Sequence, residues 1–599
     1  MSKIAISSKI QRLLKESRLY CQSGRLEEAK LIYQDLLKSI PFHPEVLGNL
    51  GTIELKSGNT ELGVKLLKQS ISVDPTQCNF LSNLGNGLLD LVNPNEAFFY
   101  FETALKINPY SSELLYNKAR ALKLLNRNED AIEVLKSSIQ CNPKNYLAYM
   151  NLGFLHNEQG QFQEAIKSYN EAIEIDPNNF QLFYNRGITF ENLKQYEESF
   201  KDYNHSIRLN NNFGMAFFNK SGLLIKLKKI EEALTVIDQA IVINSNNAAY
   251  FIKKALIYEE LKNFELAFSS YEHALKIDPD NSEAMAKKSY LKLSILDFKS
   301  GWQLYKHRWW DRDKLQFSIP ELKNFTLTKK KIFIWAEQGL GDQIIFSSLF
   351  FDAFKTKNEF FVSLDPRLIS LFKRSFSWAK NVTFSSSKTK IIESNYDFQL
   401  PMGDLGFFFR NSIKKFDSHP IEYLKPNEMQ IDNLKSKIKK NNNKICGISW
   451  ASINKEIGDE KSLSLEALLP ILTIPNITFI DLQYGNTSVE KKSLFDQYGI
   501  KIQSISEVDN FNDLDGVTSL VNLCDFIVTV SNVTAHIAGA SNKKTFLLVP
   551  HGFGKIWYWG ELRERSLWYP SIRIYRSLRS GSWQQTIKVL SKKIREMND

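Results

Sequence analysis

Two glycines and two acidic residues lie in a short segment, residues 335–343, that reads Trp-Ala-Glu-Gln-Gly-Leu-Gly-Asp-Gln. The apolar run before it and the helical pattern after it predict a strand, a tight turn and a helix start. Glycines let a ligand approach the backbone, and a helix N-terminus favours anionic groups, so Gly339 and Gly341 are candidate ligand-binding residues. Asp342 would lie at the mouth of the cleft, although its spacing alone favours the simpler role of a helix cap.

A second polar turn follows an apolar run, residues 525–530, further along the chain. Ser531, Asn532 and Thr534 place hydroxyls, an amide and free N–H groups at the start of a predicted helix, where a diphosphate could dock. Ordinary N-capping by Ser or Asn explains the same residues about equally well. His536 lies one turn into the helix, and a lone histidine there is more often packed and hydrogen-bonded than catalytic.

A third candidate is Lys461, in the loop after the apolar run that ends at Trp450. A lysine that faces the second polar turn could neutralise a phosphate. Most loop lysines are simply solvated, so Lys461 carries weight only together with the other two motifs.

Short apolar runs separated by helical patterns carry these motifs. The predicted strands are 332–336, 360–364, 397–400, 444–450, 478–482, 525–530 and 545–549, and a helix is expected over 343–355. Such alternation is typical of parallel sheets with right-handed crossovers. A polar run at 437–444 is the best boundary, which predicts two Rossmann-like domains, 332–440 and 441–599.

The first half of the chain repeats every 34 residues, and its clearest marker is proline. Prolines fall at Pro41, Pro75, Pro109, Pro143, Pro177 and Pro279, with Asn211 and Ser245 in the two remaining positions. Two further positions in the period hold small residues, as closely packed antiparallel helix pairs require. With motifs such as Asn151-Leu152-Gly153, the period resembles the tetratricopeptide repeat. It predicts an all-α superhelix over 10–298, made of eight repeats and a capping helix without a partner, and then an aromatic bridge over 299–331.

The region from about 301 to 576 resembles the glycosyltransferases related to the ADP-heptose heptosyltransferases, in the form fused to tetratricopeptide repeats. The residues that carry the resemblance are 335–342, Gly447 to Trp450 with 461–465, 525–540, and Ser566-Leu567-Trp568-Tyr569-Pro570. The resemblance implies a glycosyltransferase B fold, in which the C-terminal domain holds the nucleotide sugar. It implies that Asp342 is the general base and that Lys461 contacts the donor phosphate. Where the family usually has an Asp-Thr pair, this chain has Ser531-Asn532, which leaves the identity of the donor open.

The implied reaction is inverting transfer of a sugar from a nucleotide sugar to a protein or glycan. The expected donor site comprises Gly339, Gly341, Lys461, Ser531, Asn532, Thr534 and His536. Helix dipole and lysine would replace a metal, and we expect neither a metal nor another cofactor. The alternative is a transferase-like scaffold that has lost its activity and only binds a partner protein.

One asparagine returns in six successive repeats: Asn49, Asn83, Asn117, Asn151, Asn185 and Asn219. A side-chain amide can pair with any peptide bond, so the series could form a ladder for an extended polypeptide acceptor, as in the protein O-GlcNAc transferases of similar architecture. Asparagine is also common at this position in such repeats generally, and the two interpretations stand about even.

Composition narrows the functional classes. The 599 residues carry a formal net charge of +11. The charge is spread along the chain, so a third hypothesis, a basic RNA-binding repeat protein, is less favoured, and we expect no nucleic-acid partner. The five cysteines fit no metal-ligand spacing. Neither a signal peptide nor a transmembrane segment is apparent, so we expect a cytoplasmic protein.

Overall fold

A computed structural model describes residues 3–337, 339–439, 443–454, 457–552, 554–578 and 582–598, with side chains from residue 9 onward. The chain divides into two compact units, Met1–Asn244 and Ser245–Asp599.

The first unit is built from paired helices. They are α1 Lys3–Gln22, α2 Leu26–Ser39, α3 Pro44–Lys56, α4 Thr60–Val73, α5 Cys78–Asp90, α6 Pro94–Ile107, α7 Ser112–Leu124, α8 Asn128–Cys141, α9 Tyr146–Glu158, α10 Phe162–Ile175, α11 Phe180–Asn192, α12 Tyr196–Leu209, α13 Gly214–Lys226 and α14 Ile230–Ile243. The helices of each pair pack closely because the repeated residues at their contact are small. A larger side chain there would collide with the partner helix. A Cβ on Gly153 would lie 2.9 Å from the Tyr169 ring. The 34-residue register predicted from the sequence is confirmed.

The second unit begins with four more helices: α15 Ala248–Glu260, α16 Phe264–Ile277, α17 Ser282–Ser294 and α18 Phe298–Tyr305. The sequence analysis expected a lone capping helix at the ninth segment, but α17 has a partner in α18, so this expectation is wrong. Gly301 continues the small-residue series, and the Ser289 hydroxyl donates to its carbonyl oxygen at 2.8 Å. Part of the expected aromatic bridge is therefore the second helix of a ninth repeat.

A parallel sheet follows, with strand order β3-β2-β1-β4. Its strands are β1 Lys331–Trp335, β2 Glu359–Leu364, β3 Val382–Ser386 and β4 Phe398–Pro401. The associated helices are α19 Leu340–Ser347, α20 Phe350–Ala353, α21 Ile369–Ser375, α22 Leu405–Phe409 and α23 Glu428–Lys435. The single helix expected over 343–355 begins earlier and is split into α19 and α20. Edge strand β3 was missed because its sequence, Val-Thr-Phe-Ser-Ser, lacks an apolar run.

A second parallel sheet has the strand order β10-β9-β8-β5-β6-β7. Its strands are β5 Lys444–Ser449, β6 Ile477–Asp481, β7 Ile502–Gln503, β8 Phe526–Val530, β9 Thr545–Val549 and β10 Ile572–Arg576. Its helices are α24 Gly458–Lys461, α25 Leu469–Leu472, α26 Ser488–Tyr498, α27 Leu514–Leu523, α28 Val533–Ala540 and α29 Gln584–Asn598. The order reverses between β5 and β8, and ligands of doubly wound sheets bind at the carboxyl ends of the strands at such a reversal.

The segment before the predicted domain boundary packs against a helix of the second sheet. The predicted boundary, between residues 440 and 441, falls outside the described residues. Helix α23, on its N-terminal side, packs against α27 of the second sheet. The backbone N–H groups of Tyr423 and Leu424 both donate to the carbonyl oxygen of Ala540.

Among the described residues, no helix is both long enough and apolar enough to cross a lipid bilayer.

Candidate active site

A cavity of about 370 Å³ opens at the carboxyl ends of the two sheets. One wall is the glycine loop after β1, residues 339–342, and the other comprises the loops after β5, β6 and β8 with the first turns of α28. The cavity therefore lies at the β5–β8 strand-order reversal, where the fold predicts a ligand. It brings Asp342 and Lys461, which the sequence separates by more than a hundred positions, to one site.

Asp342 caps a helix and also lines the cavity. Its Oδ2 accepts a hydrogen bond from the Gly339 N–H at 3.1 Å, so it caps α19. The same side chain lines the cavity. Burial raises the pKa of this carboxyl to about 6, an effect strengthened by the Glu337 carboxylate and opposed by the Gly339 hydrogen bond and the Lys461 ammonium. A carboxylate with a pKa near 6 is suited to take a proton at neutral pH.

Lys461 is a buried lysine, not a solvated one. The residue ends α24, is 3% exposed and lines the cavity. Within the described part of the chain, its ammonium has no hydrogen-bond or ion-pair partner. Burial lowers its pKa to about 8, and the nearby Asp342 carboxylate opposes this shift. An unpaired buried cation is costly, so the site is prepared for an anion.

A buried ion pair behind the glycine loop supports Asp342, and the sequence analysis missed it. The Arg308 guanidinium donates to both carboxylate oxygens of Glu337, with Nε to Oε2 at 2.6 Å and Nη2 to Oε1 at 2.7 Å. Arg308 also pairs with Asp404 at 2.7 Å, and the Gly403 N–H donates to Glu337 Oε1 at 2.6 Å. The pair fixes the backbone just before the glycine loop. The only signal in the sequence was an arginine within the aromatic bridge.

His536 is packed and hydrogen-bonded, as a lone histidine at this position more often is. Its Nδ1 lies 3.0 Å from the Tyr569 hydroxyl and its Nε2 lies 3.2 Å from the Tyr558 hydroxyl. Burial lowers its pKa to about 3, so the ring is neutral. A Cβ on Gly341 would lie 2.7 Å from His536 Cδ2. Gly341 therefore allows the glycine loop to lie against the His536 ring of α28. In contrast, a Cβ on Gly339 would meet no atom closer than 3.6 Å.

The polar side chains of the turn before α28 and of its first turn form hydrogen bonds with other residues of the protein. Asn532 caps the helix, because its Oδ1 accepts from the Thr534 N–H at 3.1 Å, while its Nδ2 donates to Ser449 Oγ at 2.7 Å. The Ser531 hydroxyl accepts from Trp559 Nε1 at 2.8 Å, and the Thr534 hydroxyl donates to a carbonyl at 3.3 Å. The capping interpretation thus describes the Asn532 side chain. Residues 531–533 still line the cavity.

Two aromatic residues that were not identified from the sequence, Tyr484 and Phe511, also line the cavity. The rings of Tyr484 and Phe511 lie 6.5 Å apart. The Arg367 guanidinium lies 5.1 Å from the centroid of the Phe511 ring. Phe511 is 43% exposed, which leaves a face open for stacking. Short loops after strands carry these rings, so the strand pattern gave no signal for them.

In the first unit, four asparagines of the series are hydrogen-bonded, three to a neighbouring repeat and one within its own helix. Nδ2 of Asn151 lies 3.4 Å from the Tyr116 hydroxyl, and that of Asn219 lies 3.0 Å from the Tyr184 hydroxyl. Asn83 donates to Thr52 at 3.0 Å, and Asn117 is buried and accepts from Arg120 at 3.3 Å. These bonds support the structural interpretation for four of the six positions, while the acceptor ladder remains a prediction.

Comparison with known families identifies the repeats. A model described as "TPR repeat" matches residues 155–194. Models described as "Tetratricopeptide repeat" match residues 88–152, 180–213 and 248–281. The last two ranges each span one 34-residue period. The chain therefore contains tetratricopeptide repeats.

Among curated proteins, the chain is similar to Protein FlbA of Caulobacter vibrioides. The two are 26% identical over 305 residues, which cover 47% of this chain and 50% of FlbA. The chain thus spans about half the length of this relative.

Solved structures of repeat proteins also resemble the chain. A tetratricopeptide repeat protein from Parabacteroides merdae is 16% identical, with a TM-score of 0.35, and covers 43% of this chain and 97% of its own. YrrB, described as a TPR protein with an unusual peptide-binding site, is 23% identical, with a TM-score of 0.27, over 31% of this chain and 97% of its own.

Proposed function

We propose that this protein is a glycosyltransferase that moves a sugar from a nucleotide sugar to a protein or glycan acceptor. One observation carries the proposal. A carboxylate with a raised pKa, Asp342, and an unpaired buried ammonium, Lys461, line one cavity at a strand-order reversal. A base beside an anion-binding cation is what displacement of a nucleoside diphosphate requires. Under this proposal the two sheets form a glycosyltransferase B fold.

In the proposed reaction, the acceptor hydroxyl attacks the anomeric carbon of the donor sugar. Asp342 takes the hydroxyl proton as the new C–O bond forms. The bond from the anomeric carbon to the phosphate oxygen breaks, and the nucleoside diphosphate leaves with the electron pair. Attack from the face opposite the leaving group inverts the anomeric configuration.

The groups opposite Asp342 would stabilise the departing diphosphate. The Lys461 ammonium and the start of α28 supply positive charge where the negative charge grows. Tyr484 and Phe511 offer aromatic surface for the nucleobase in the cavity. Gly339, Gly341 and the 531–533 backbone would surround the sugar and phosphates, and His536 would support the loop as a neutral packed group.

The repeats support a polypeptide acceptor. Side-chain amides such as those of Asn151 and Asn185 return at a fixed position in successive repeats. An amide offers one acceptor and two donors, which match a peptide bond of any sequence. We propose that the repeats hold the acceptor and that the second unit carries out the transfer.

A scaffold without activity is the second candidate, and two contacts favour it. Asp342 already caps its own helix through the Gly339 N–H, and the Ser531 hydroxyl is taken by Trp559. In that case the cavity would bind a nucleotide sugar weakly or not at all, and the protein would act only through partners bound to its repeats.

Turnover of a panel of UDP-, GDP-, ADP- and CMP-sugars distinguishes the two candidates. The glycosyltransferase is expected to hydrolyse or transfer from at least one donor, and Asp342→Asn is expected to abolish this. Asp496→Asn, on the exposed face of α26, serves as the matched control. Absence of turnover with every donor, or full activity in Asp342→Asn, would leave the scaffold as the function.

A further inference from the structure

A second cavity, of about 300 Å³, lies in the second unit between the last two repeats and the C-terminal sheet. Helices α15 and α17 supply one wall, through residues such as Glu260 and Tyr290, and Gly552, residues 554–557 and Glu561 supply much of the other. Ile556 lines both this cavity and the one that holds Asp342. The two cavities are therefore neighbours that share part of one loop.

Glu260 is the unusual residue of this second cavity. It is 9% exposed, and its carboxylate packs so closely on the loop that a Cβ at Gly552 would overlap its Oε2. Among the residues that the structure describes, none donates a hydrogen bond to this carboxylate or forms an ion pair with it. A buried carboxylate without a partner is costly, so the site calls for a group that donates to it.

The ammonium groups nearby are bound to other carboxylates. Lys262 and Lys555 both pair with Glu561, at 2.6 and 2.7 Å. Lys287 lies 3.8 Å from Glu283 and sits over the Trp310 ring. The Glu259 carboxylate accepts from the Tyr271 hydroxyl at 2.6 Å. These ammonium groups are therefore held by carboxylates other than that of Glu260, although Lys555 and Lys262 lie near enough to lower its pKa.

The remaining lining suits a long side chain with a charged end. Leu256, Tyr290, Ile556 and Trp557 provide apolar surface around Glu260. Lysine and arginine bury their methylene stems against such surface while their cationic ends reach a polar partner. An isolated metal ion would instead need several free carboxylates, and the other carboxylates here already have partners.

We propose that this cavity binds a lysine or arginine side chain of the polypeptide acceptor, with Glu260 as its ionic partner. The inference rests on the proposed transferase function, since it gives that reaction a sequence preference. A basic residue held at Glu260 would place the neighbouring acceptor residues beside the shared loop and thus near Asp342. Burial raises the pKa of Glu260 to about 7 in the absence of a ligand, and a bound cation would lower it again.

A binding experiment that needs no catalysis tests the site. The full chain is labelled with 5-fluorotryptophan, and the Trp557 resonance is assigned with Trp557→Phe. Nα-acetyl-lysine methylamide is expected to shift this resonance, and the norleucine analogue, which has the same stem without the ammonium, is expected to bind at least tenfold more weakly. Glu260→Gln is expected to remove this difference, whereas Glu564→Gln, at an exposed ion pair, binds as the wild type does. Equal binding of the two probes, or an unchanged lysine affinity in Glu260→Gln, would overturn the proposal.

A second experiment measures sugar transfer to peptides. With the donor found in the panel, serine and threonine peptides with lysine at one position are expected to show at least tenfold higher kcat/KM than their norleucine counterparts. Glu260→Gln is expected to bring this ratio to about one without changing donor hydrolysis. A wild type that turns over no donor contradicts the transferase function, while the binding experiment still decides the cation site.

Discussion

Arg308 and Glu337 form a bidentate ion pair that is almost completely shielded from solvent, with side chains 1% and 0% exposed. The pair joins the segment after the ninth repeat to the residue just before the glycine loop. Removing one partner of a buried pair leaves an uncompensated charge, which costs about 3–5 kcal/mol. We expect Arg308→Met to lower the free energy of unfolding by about this amount, as measured by urea denaturation.

The double variant Arg308→Met/Glu337→Gln distinguishes an ionic role from a packing role. If the uncompensated carboxylate causes the loss, the double variant recovers much of the stability that Arg308→Met loses. Equal stability of the single and double variants would mean that lost packing, not charge, explains the effect. Arg312→Met, in an exposed pair with Asp311, is the matched control.

The two glycines of the loop after β1 should respond differently to the same substitution. In Gly341→Ala the new Cβ would lie 2.7 Å from the buried His536 ring, so the loop or the ring must move. Overpacking of this kind costs about 1–3 kcal/mol, and we expect lower thermal stability together with lower activity. Gly339→Ala, whose Cβ would meet Asp342 Oδ2 at 3.6 Å, is expected to keep the thermal stability of the wild type. Equal effects of the two variants would contradict the close approach.

The parts of this structure that the sequence predicted are those in which local pattern decides the outcome. The repeat register follows from one proline and two small residues per period, because each is required by local helix packing. Asp342 and Lys461 could be expected at one site because both follow the carboxyl ends of parallel strands. In contrast, Ser531 bonds to Trp559 and Asn532 bonds to Ser449, partners that lie far away in sequence.

Elements without a strong local pattern were missed for related reasons. Helix α18 carries Gly301 at the expected small position, but its bulky aromatic residues obscured the repeat. Its Trp302 donates to the Arg410 carbonyl at 2.8 Å, a tertiary contact that no periodicity reveals. The pairing of Arg308 with Glu337 likewise depends on how the ninth repeat packs against the first sheet.

Lys461→Met should raise stability and lower activity. The pKa of Lys461 falls from 10.5 to about 8 on folding, so at pH 7 its charge costs about 3 kcal/mol. An apolar side chain of similar length removes this cost, and we expect a higher midpoint of thermal unfolding. Donor turnover is expected to fall on the order of a hundredfold, because the diphosphate loses its cation. Lys492→Met, on an exposed position of α26, should change neither property. Reduced stability with intact turnover would contradict an anion-binding role.

The asparagine ladder can be tested in the first unit. We expect the variant with Asn117, Asn151 and Asn185 replaced by Ala to modify polypeptide acceptors more slowly and to hydrolyse the donor at the wild-type rate. Loss of the bonds to Tyr116 and Arg120 should also cost about 0.5–1.5 kcal/mol each, so thermal stability is measured in parallel. Replacement of Asn178 and Asn212, exposed in the turns between repeats, is the control. Normal modification of protein acceptors would make the series structural only.

The pH dependence of donor turnover should report the protonation of both Asp342 and Lys461. Asp342 must be deprotonated to act as a base, so kcat/KM is expected to rise with pH through about 6 and to fall as pH decreases below it. Lys461 must be protonated to hold the diphosphate, so activity is expected to fall as pH rises through about 8. Rates measured from about pH 5 to 9, which spans both values, should therefore give a bell-shaped profile. Lys461→Met, measured at higher enzyme concentration, should keep the acidic limb and lose the alkaline one. If both limbs persist in that variant, another group is responsible for the alkaline fall.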